Sequence, residues 1–426
     1  MGFVPALRIV LATATIALAG ISAAGSGAAV RFTPLPESFC SPVFSGGAQP
    51  QVLIASDLPI RWFPFHKSTL EMQSAIKFVL AKHGYKAGRL RVGYQSCDDS
   101  SPQESQGDLT KCAGNAKAFA SDASAVGVVG TWSSQCAAVE IPILNTAPNG
   151  PLVLVSPTNT KVGLTHASAG TSPGEPARYY PTGQRNFVRL LSADDAQGRA
   201  DAFLADRLGE RRIFLLDDGT GYGLSVAEAF TSAAHKLSVP VAGVASWDPA
   251  QAGFSGLLSR VRAAHADGVF LAGSDSPNAA KLIRAMRAAL GPKGVLIASD
   301  GFSPAGLARA VGRAAEGMYV SVPGATLANL NPLGLEIARR FGPYRLGSGG
   351  PVYAAEAVEV LLAAIARSDG TRESVTRAVL ATRITNGILG TFTFDHNGDS
   401  TYNPVLIFHV LHGRARLDRV VAAPPP

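Results

Sequence analysis

Serine and threonine side chains follow two predicted strands in the first half of the chain. Ser133 and Ser134 come after the apolar run 126–130, and Thr158 and Thr160 come after the next apolar run. Hydroxyl groups and free backbone N–H groups at a helix N-terminus can bind a carboxylate. Serine is also a preferred helix cap. The prediction of a carboxylate site therefore depends on the two loops converging.

Acidic side chains occupy the corresponding loops in the second half of the chain. The pair 217–218, Asp275 and Asp300 each follow an apolar run, and Tyr222 lies in a glycine-rich turn. A carboxylate can bind an ammonium group through a charge-assisted hydrogen bond, and we assign that role to Asp300. An aspartate before a glycine is equally typical of a turn. Donors on one side and acids on the other suit a zwitterion such as a free amino acid.

Residue spacing argues against catalysis, nucleotide binding and metal binding. The sequence has no GxSxG motif, and its eight histidines are dispersed, so no nucleophile is paired with a base. The glycines at 219, 221 and 223 lack the dinucleotide-binding spacing and follow two acids that would repel a pyrophosphate. The acids at 395 and 399 do not match a calcium loop. We predict a protein that is not an enzyme and uses no cofactor or metal ion.

The composition favours a globular protein with large cores. The chain is 46% apolar and 16% charged, and its net charge of +7 comes from scattered arginines. No cluster of Lys and Arg alternates with aromatic residues, so we predict no nucleic-acid partner. The nearly 400 residues after the N-terminal segment are enough for two lobes of ordinary size.

The first 30 residues predict an export signal. Arg8 precedes an apolar stretch over 9–21, and small residues at 26–28 form a cleavage site. An uncleaved N-terminal anchor is the alternative, because the apolar run approaches the ~20 residues that span a membrane. Cys40 lacks the small-residue motif that precedes a lipid-modified cysteine. We expect a periplasmic or extracellular protein that is not a lipoprotein.

The four cysteines are expected to be paired, because exported proteins form disulfides. Cys97 and Cys112 flank a short polar loop, and their bridge would leave Cys40 to pair with Cys136. A bridge between Cys97 and Cys136 is the competing arrangement. The sequence does not choose between them.

A unit of strand, polar loop and helix occurs twice. The first copy contains RLRVGYQSCDDS, SAVGVVGTWSS and GPLVLVSPTNT, and the second contains RRIFLLDDGTGYG, ADGVFLAGSDSPN and KGVLIASDGFSP. Apolar runs that end in Gly, Ser, Thr or Asp are typical of buried parallel strands. Ligands of such sheets bind at the carboxyl ends of the strands. The sequence therefore predicts an α/β fold with two Rossmann-like lobes and a ligand cleft between them.

The lobes are expected to be discontinuous in sequence. We predict an extended leader over 31–49, one lobe from 50–190 plus 324–392, and a second from 191–323 plus 393–420. The chain would then cross between lobes three times, which is the geometry of a hinge. An Asn-Gly pair within 396–399 predicts a β-hairpin between strands at 390–395 and 403–411.

The order of several motifs resembles the type 1 periplasmic solute-binding proteins of the leucine/isoleucine/valine-binding family, the receptors of branched-chain amino acid ABC importers. The resemblance covers residues 50–412, and its motifs are VGTWSS, VSPTNTKVGLT, DDGTGYG, IASDGF, AAEGMYVSVP and GTFTFDHNGD. It implies a monomer that closes its lobes on an amino acid and an ABC permease as its membrane partner. An extracellular ligand sensor that uses the same cleft is the alternative function.

The resemblance also implies roles for individual residues. Ser134, with Ser133 adjacent, matches the serine that holds the ligand carboxylate. Thr158 and Thr160 match the loop that supplies a backbone amide and a threonine hydroxyl. Tyr222 matches the aromatic before glycine, and Asp300 matches the acid that takes the ammonium group, where the family often has glutamate.

Two loops depart from the family pattern. The loop that starts at Ser56 carries Asp57, Arg61 and Trp62 in place of a glycine-containing stretch, and the loop around Asp275 lacks an aromatic residue. Ser56 and Asp275 are kept as candidate ligand-binding residues. These departures extend the expected ligands from branched-chain amino acids to related small polar solutes, including amides.

Overall fold

The computed structural model describes residues 1–2, 32–62, 66–104, 106–168, 171–209, 212–342 and 350–422. The predicted export signal falls almost entirely outside these residues. The chain divides into the units Met1–Val30 and Arg31–Pro426, and the fold described below belongs to the second unit. Within the described residues, no helix has both the length and the apolar character needed to cross a membrane.

Fifteen strands occur among the described residues and are numbered in chain order. They are β1 Val52–Leu58, β2 Lys86–Ala87, β3 Leu90–Asp98, β4 Ala125–Gly130, β5 Val153–Ser156, β6 Phe187–Arg189, β7 Ile213–Asp217, β8 Val241–Ser246, β9 Gly268–Ala272, β10 Val295–Ala298, β11 Tyr319–Pro323, β12 Arg383–Gly387, β13 Gly390–Thr393, β14 Pro404–Leu411 and β15 Arg414–Ala422.

Eleven α-helices connect these strands within the same described ranges. They are α1 His66–Lys82, α2 Leu109–Ser121, α3 Ser134–Asn145, α4 Asp194–Arg207, α5 Gly221–Leu237, α6 Ser255–Ala263, α7 Ala279–Leu290, α8 Pro304–Val311, α9 Pro332–Phe341, α10 Pro351–Ala366 and α11 Arg372–Leu380.

Two large sheets form the framework. The first has the order β2-β3-β1-β4-β5-β6 and is parallel apart from the β2–β3 pair. The second has the order β15-β14-β11-β10-β9-β7-β8, and only β14 and β15 run antiparallel to their neighbours. Most of their parallel strands are buried along their whole length, as expected when helices cover both faces. This confirms the predicted α/β fold with two Rossmann-like lobes.

The helices α9–α11 come late in the chain but pack on the first sheet. Val358, Leu361 and Ile365 of α10 share a buried core with Ile54 and Val129 of that sheet. Gly127 lies so close to α10 that a Cβ atom there would be 2.5 Å from the Cδ2 atom of Leu361. The chain therefore passes between the two sheets three times, after β6, after β11 and after β13.

The predicted hairpin around 396–399 is wrong. β13 pairs with β12, and β14 pairs with β11 and β15, so the two predicted partners lie in different sheets. The turn between them is anchored to β6, because the N–H of Arg189 donates to the carbonyl of Gly398 at 3.0 Å. A single bridge between Phe394 and Ser400 closes the turn. The Asn-Gly pair thus marks a crossing between the sheets.

Both cysteine pairings considered from the sequence are also wrong. The disulfides join Cys40 to Cys97 and Cys112 to Cys136. The leader runs antiparallel beside β3, where Phe44 and Tyr94 exchange backbone hydrogen bonds of 2.9 Å, and this places Cys40 opposite Cys97. Cys112 and Cys136 lie in the first turns of α2 and α3, which pack side by side.

Candidate ligand-binding site

The two hydroxyl-bearing loops of the first sheet meet at Ser134. Ser133 caps α3, since its side chain accepts a hydrogen bond from the N–H of Gln135 at 3.2 Å. The Oγ atom of Ser134 accepts from the N–H groups of Thr160 and Lys161 at 3.3 and 3.4 Å. A serine hydroxyl can accept two hydrogen bonds and still donate one. Ser134 can therefore donate to a ligand while it holds the second loop in place.

The loop that contains Thr158 and Thr160 is held in place by two of its own side chains, which donate hydrogen bonds into the first lobe. Thr158 is 9% exposed, and its hydroxyl donates to the carbonyl of Thr131 at 2.8 Å. The amide of Asn159 donates to the same carbonyl at 2.9 Å. The Thr158 hydroxyl is thus used inside the protein, and the structure gives it a positioning role. Thr160 is partly exposed beside Ser134.

On the second sheet, Tyr222 and Asp300 are in direct contact. The Tyr222 hydroxyl donates to the Oδ1 atom of Asp300 at 2.5 Å and accepts from the N–H of Gly301 at 3.3 Å. Thr220 caps α5 through the N–H of Gly223, which fixes the start of the helix that carries the tyrosine. Burial and the nearby Asp300 charge hold the pKa of Tyr222 well above its usual range. Tyr222 therefore remains a hydrogen-bond donor that orients the Asp300 carboxylate.

Asp194 links the two sides and was not predicted from the sequence. It begins α4 just after the first crossing, and its N–H donates to the carbonyl of Thr160 at 2.9 Å. Its side chain is 1% exposed, and its Oδ1 atom has no hydrogen-bond partner among the described residues. Burial, reinforced by the Asp300 charge, raises the pKa of Asp194 to about 7, although a hydrogen bond from Thr160 opposes this. The loop that contains Thr160 and the site around Asp300 thus converge on Asp194.

The last two candidate residues differ in their surroundings. Asp275 is exposed next to the Asp300 loop, where its N–H donates to the carbonyl of Gly301 at 2.9 Å. Ser56 is fully buried in β1, and its Oγ atom lies 2.7 Å from the Tyr94 hydroxyl and 3.2 Å from the Ser96 hydroxyl. The structure therefore groups Asp275 with Tyr222 and Asp300, and it places Ser56 in a separate polar cluster inside the first lobe.

A cluster of charged residues, which we call the charged clamp, connects the crossings beside this site. Its members are His166, Arg189, Asp195 and Asp399. His166 lies 2.9 Å from Asp399 through Nδ1 and 3.2 Å from Asp195 through Nε2. Arg189 is fully buried, and its Nε atom is 2.5 Å from Asp399. Burial lowers the pKa of His166, but its hydrogen bonds to Asp195 and Asp399 outweigh this and raise it to about 9. Protonated His166 therefore joins the first crossing, through Asp195, to the third, through Asp399.

Among the described residues, one group of potential metal ligands lies near the start of α3. Asp99, Cys112 and Cys136 each place a ligand atom within 4.8 Å of the others. The two cysteines form a disulfide, and the thiolate is the form of cysteine that binds metals. Burial also holds the pKa of Asp99 well above its usual range. This group therefore does not form a metal centre in the oxidised protein.

Comparison with known proteins identifies relatives of this fold. A family model described as periplasmic binding protein matches residues 75–414. No curated protein sequence matches the chain. A leucine binding protein from Thermotoga maritima has a similar structure, with a TM-score of 0.68 and 21% identity over 87% of this chain and 98% of that chain.

Two further solved structures are similar at low sequence identity. An ABC transporter substrate-binding protein from Desulfitobacterium hafniense in complex with Leu has a TM-score of 0.65 and 19% identity, over 86% of this chain and 99% of that chain. A solute binding protein of an ABC transporter from R. palustris in complex with 4-hydroxybenzoate has a TM-score of 0.68 and 16% identity, over 88% of this chain and 98% of that chain. These structures share the fold of this chain and differ in what they bind.

Proposed function

Because the chain belongs to the periplasmic binding protein family, we propose that it is the extracytoplasmic solute-binding protein of an ABC importer. In this proposal it binds an amino acid or a related small polar solute between its two lobes. The proposal is supported by one chain of contacts: Ser134 accepts a hydrogen bond from the N–H of Thr160, and Thr160 hydrogen-bonds to Asp194. The buried Asp194 carboxyl in turn interacts with the charge of Asp300.

The ligand carboxylate is assigned to the first lobe. Ser134 donates its hydroxyl hydrogen to a carboxylate oxygen, and its position at the start of α3 adds the favourable field of a helix N-terminus. Thr160 lies beside it, and its hydroxyl hydrogen-bonds to the Asp194 carboxylate, which ties this loop to the start of α4. The hydrogen bonds of Thr158 and Asn159 to the Thr131 carbonyl hold this loop in position before the ligand arrives.

The ligand ammonium group is assigned to Asp300 in the second lobe. The N–H of Gly301 donates to the Tyr222 hydroxyl, and this hydroxyl fixes the orientation of the Asp300 carboxylate, so little side-chain entropy is lost on binding. We take residues 50–190 with 324–392 as one lobe and 191–323 with 393–420 as the other. Closure about the three crossings then brings both halves of the site onto one ligand.

A thermal-shift screen of the purified protein tests this function. Amino acids, amides and small aromatic acids are the panel, because a ligand that binds only the folded state raises the melting temperature. We expect a rise with zwitterionic amino acids. If only aromatic acids without an amino group raise the melting temperature, the assignment of Asp300 to an ammonium group is wrong.

A further inference from the structure

The disulfide between Cys112 and Cys136 lies next to the residues that we assign to the ligand carboxylate. Cys136 follows Ser134 by two residues in the first turn of α3, and Cys112 lies in the first turn of α2. Both cysteines are fully buried. Gly107 packs against the bridge, because a Cβ atom at this position would be 2.6 Å from Sγ of Cys136 and 3.5 Å from Cβ of Ser133. The bridge therefore joins the start of α2 to the start of α3.

The start of α2 is connected to the loops that follow β1 and β3. Lys111, next to Cys112, donates through Nζ to the carbonyl of Ser100 at 2.6 Å and forms an ion pair with Asp98 at 3.3 Å. Oδ1 of Asp98 in turn accepts a hydrogen bond from the N–H of Ile60 at 2.9 Å. The position of the first turn of α2 therefore affects both of these loops.

The start of α3 is connected to the loops that follow β4 and β5. The loop after β4 ends at Ser133, which caps α3. Ser134 accepts hydrogen bonds from the N–H groups of Thr160 and Lys161 in the loop after β5. Because β3, β1, β4 and β5 are parallel neighbours in the first sheet, their carboxyl ends lie at the same edge. One covalent bridge thus connects four adjacent loops at the edge where the proposed ligand site lies.

The rest of the contact between α2 and α3 is apolar and does not depend on the bridge. Phe119 in the second half of α2 and Ile141 in the second half of α3 belong to one buried core. Burial of these side chains keeps the two helices together when the bridge is absent. Opening the bridge therefore affects the first turns, which carry the binding groups, more than the helices as a whole.

We propose, on the basis of the proposed function, that the Cys112–Cys136 disulfide is a positioning element of the ligand site. It holds the Ser134 hydroxyl and the four loops in the geometry that a ligand carboxylate requires before the ligand arrives. Such pre-organisation raises affinity, because the binding groups lose less conformational freedom when the ligand binds. Without the bridge, part of the binding free energy is used to order these loops.

The direct test is isothermal titration calorimetry of the full-length purified protein and of its variant Cys112→Ala/Cys136→Ala. Both are titrated with the amino acid that gives the largest thermal shift with the wild type, at a temperature at which both proteins are folded. We expect the variant to bind about tenfold more weakly. Equal affinities would overturn the inference and leave the proposed function standing. If no amino acid in the thermal-shift panel binds the wild type, the proposed function itself is wrong and the inference falls with it.

The second disulfide provides the matched control. Cys40→Ala/Cys97→Ala removes the bridge between the leader and β3, so it should lower the melting temperature and keep the wild-type affinity. Equal losses of affinity in the two double variants would show that lower stability, and not the position of the Ser134 loop, weakens binding. That result would also overturn the inference.

A chemical route gives the same comparison if Cys112→Ala/Cys136→Ala does not fold. In Cys40→Ala/Cys97→Ala the remaining disulfide is Cys112–Cys136. Dithiothreitol reduces this disulfide to two thiols and is itself oxidised to its cyclic disulfide. We expect about tenfold weaker binding after reduction and recovery of the affinity after reoxidation. An affinity that does not change, although a thiol-specific reagent shows that both cysteines are reduced, would contradict the positioning role.

Discussion

The hydroxyl of Ser134 organises the first half of the site. It accepts from the backbone of Thr160 and Lys161, so it both joins the two loops and offers a donor to the ligand. Ser134→Ala is expected to weaken ligand binding by about 1–3 kcal/mol, because a buried carboxylate oxygen would lose its partner. Calorimetry with the amino acid that gives the largest thermal shift measures this. Ser121→Ala, at the exposed end of α2, is the control and should bind normally.

The Tyr222 hydroxyl acts through Asp300. Tyr222→Phe removes the 2.5 Å hydrogen bond to the carboxylate and keeps the ring, so we expect binding to weaken by about 0.5–1.5 kcal/mol with little change in melting temperature. The same titration measures the loss. A Tyr222→Phe protein that binds as tightly as wild type would show that Asp300 needs no orienting partner.

Some of the candidate residues could be predicted from the sequence because polar residues at strand ends are visible in it. Ser134, Thr160, Tyr222 and Asp300 follow apolar runs, and the structure pairs Ser134 with Thr160 and Tyr222 with Asp300. Asp194 could not be found in this way. Its position at the start of α4 is typical of an ordinary first-turn acid, and only the three-dimensional fold shows that it is buried between Thr160 and Asp300.

At the scale of the elements, long-range pairing explains what could not be predicted. The buried parallel strands were evident from their apolar runs, because both of their faces are covered. The hairpin at 396–399 was wrong because β14 completes the second sheet through Leu406 and Val410, which lie in its core. A local turn signal cannot reveal which sheet each flanking strand joins.

The disulfide between α2 and α3 has an effect that can be measured at this scale. Cys112 and Cys136 are 24 residues apart, and a bridge of that loop length constrains the unfolded chain. The double variant Cys112→Ser/Cys136→Ser is expected to lose about 3 kcal/mol in free energy of unfolding. Urea denaturation measures this, provided that the second disulfide stays intact. Peptide mapping under non-reducing conditions should recover Cys40 linked to Cys97, and a Cys97–Cys112 peptide would contradict the structure.

At the scale of the whole molecule, the charged clamp at the crossings predicts a pH dependence. The pKa of His166 is raised from 6.5 to about 9, so its contribution to stability is fully present below about pH 6.5 and is lost as the pH rises through about 9. We expect the melting temperature of the wild type to fall between pH 7.5 and 10. The fall should be smaller in His166→Gln, which lacks the titrating group.

A second histidine provides the control for this pH series. His83 contacts Glu359 at 3.0 Å on the outer surface of the first lobe, away from the crossings. Its side chain is 41% exposed, and surface pairs contribute little to stability. His83→Gln should therefore keep the wild-type profile. Identical profiles for wild type and His166→Gln would mean that the clamp does not stabilise the folded state.

The proposed solute binding by lobe closure requires that both halves of the site, one in each lobe, bind the same ligand. The measurement that tests this most directly is calorimetry of wild type, Ser134→Ala and Asp300→Asn with the amino acid that gives the largest thermal shift. The account predicts that each single variant weakens binding by about 1–3 kcal/mol, because each strands one end of a zwitterion. If both variants bound that amino acid as tightly as the wild type, the result would contradict a ligand site between the loops of Ser134 and Thr160 and the loop of Asp300.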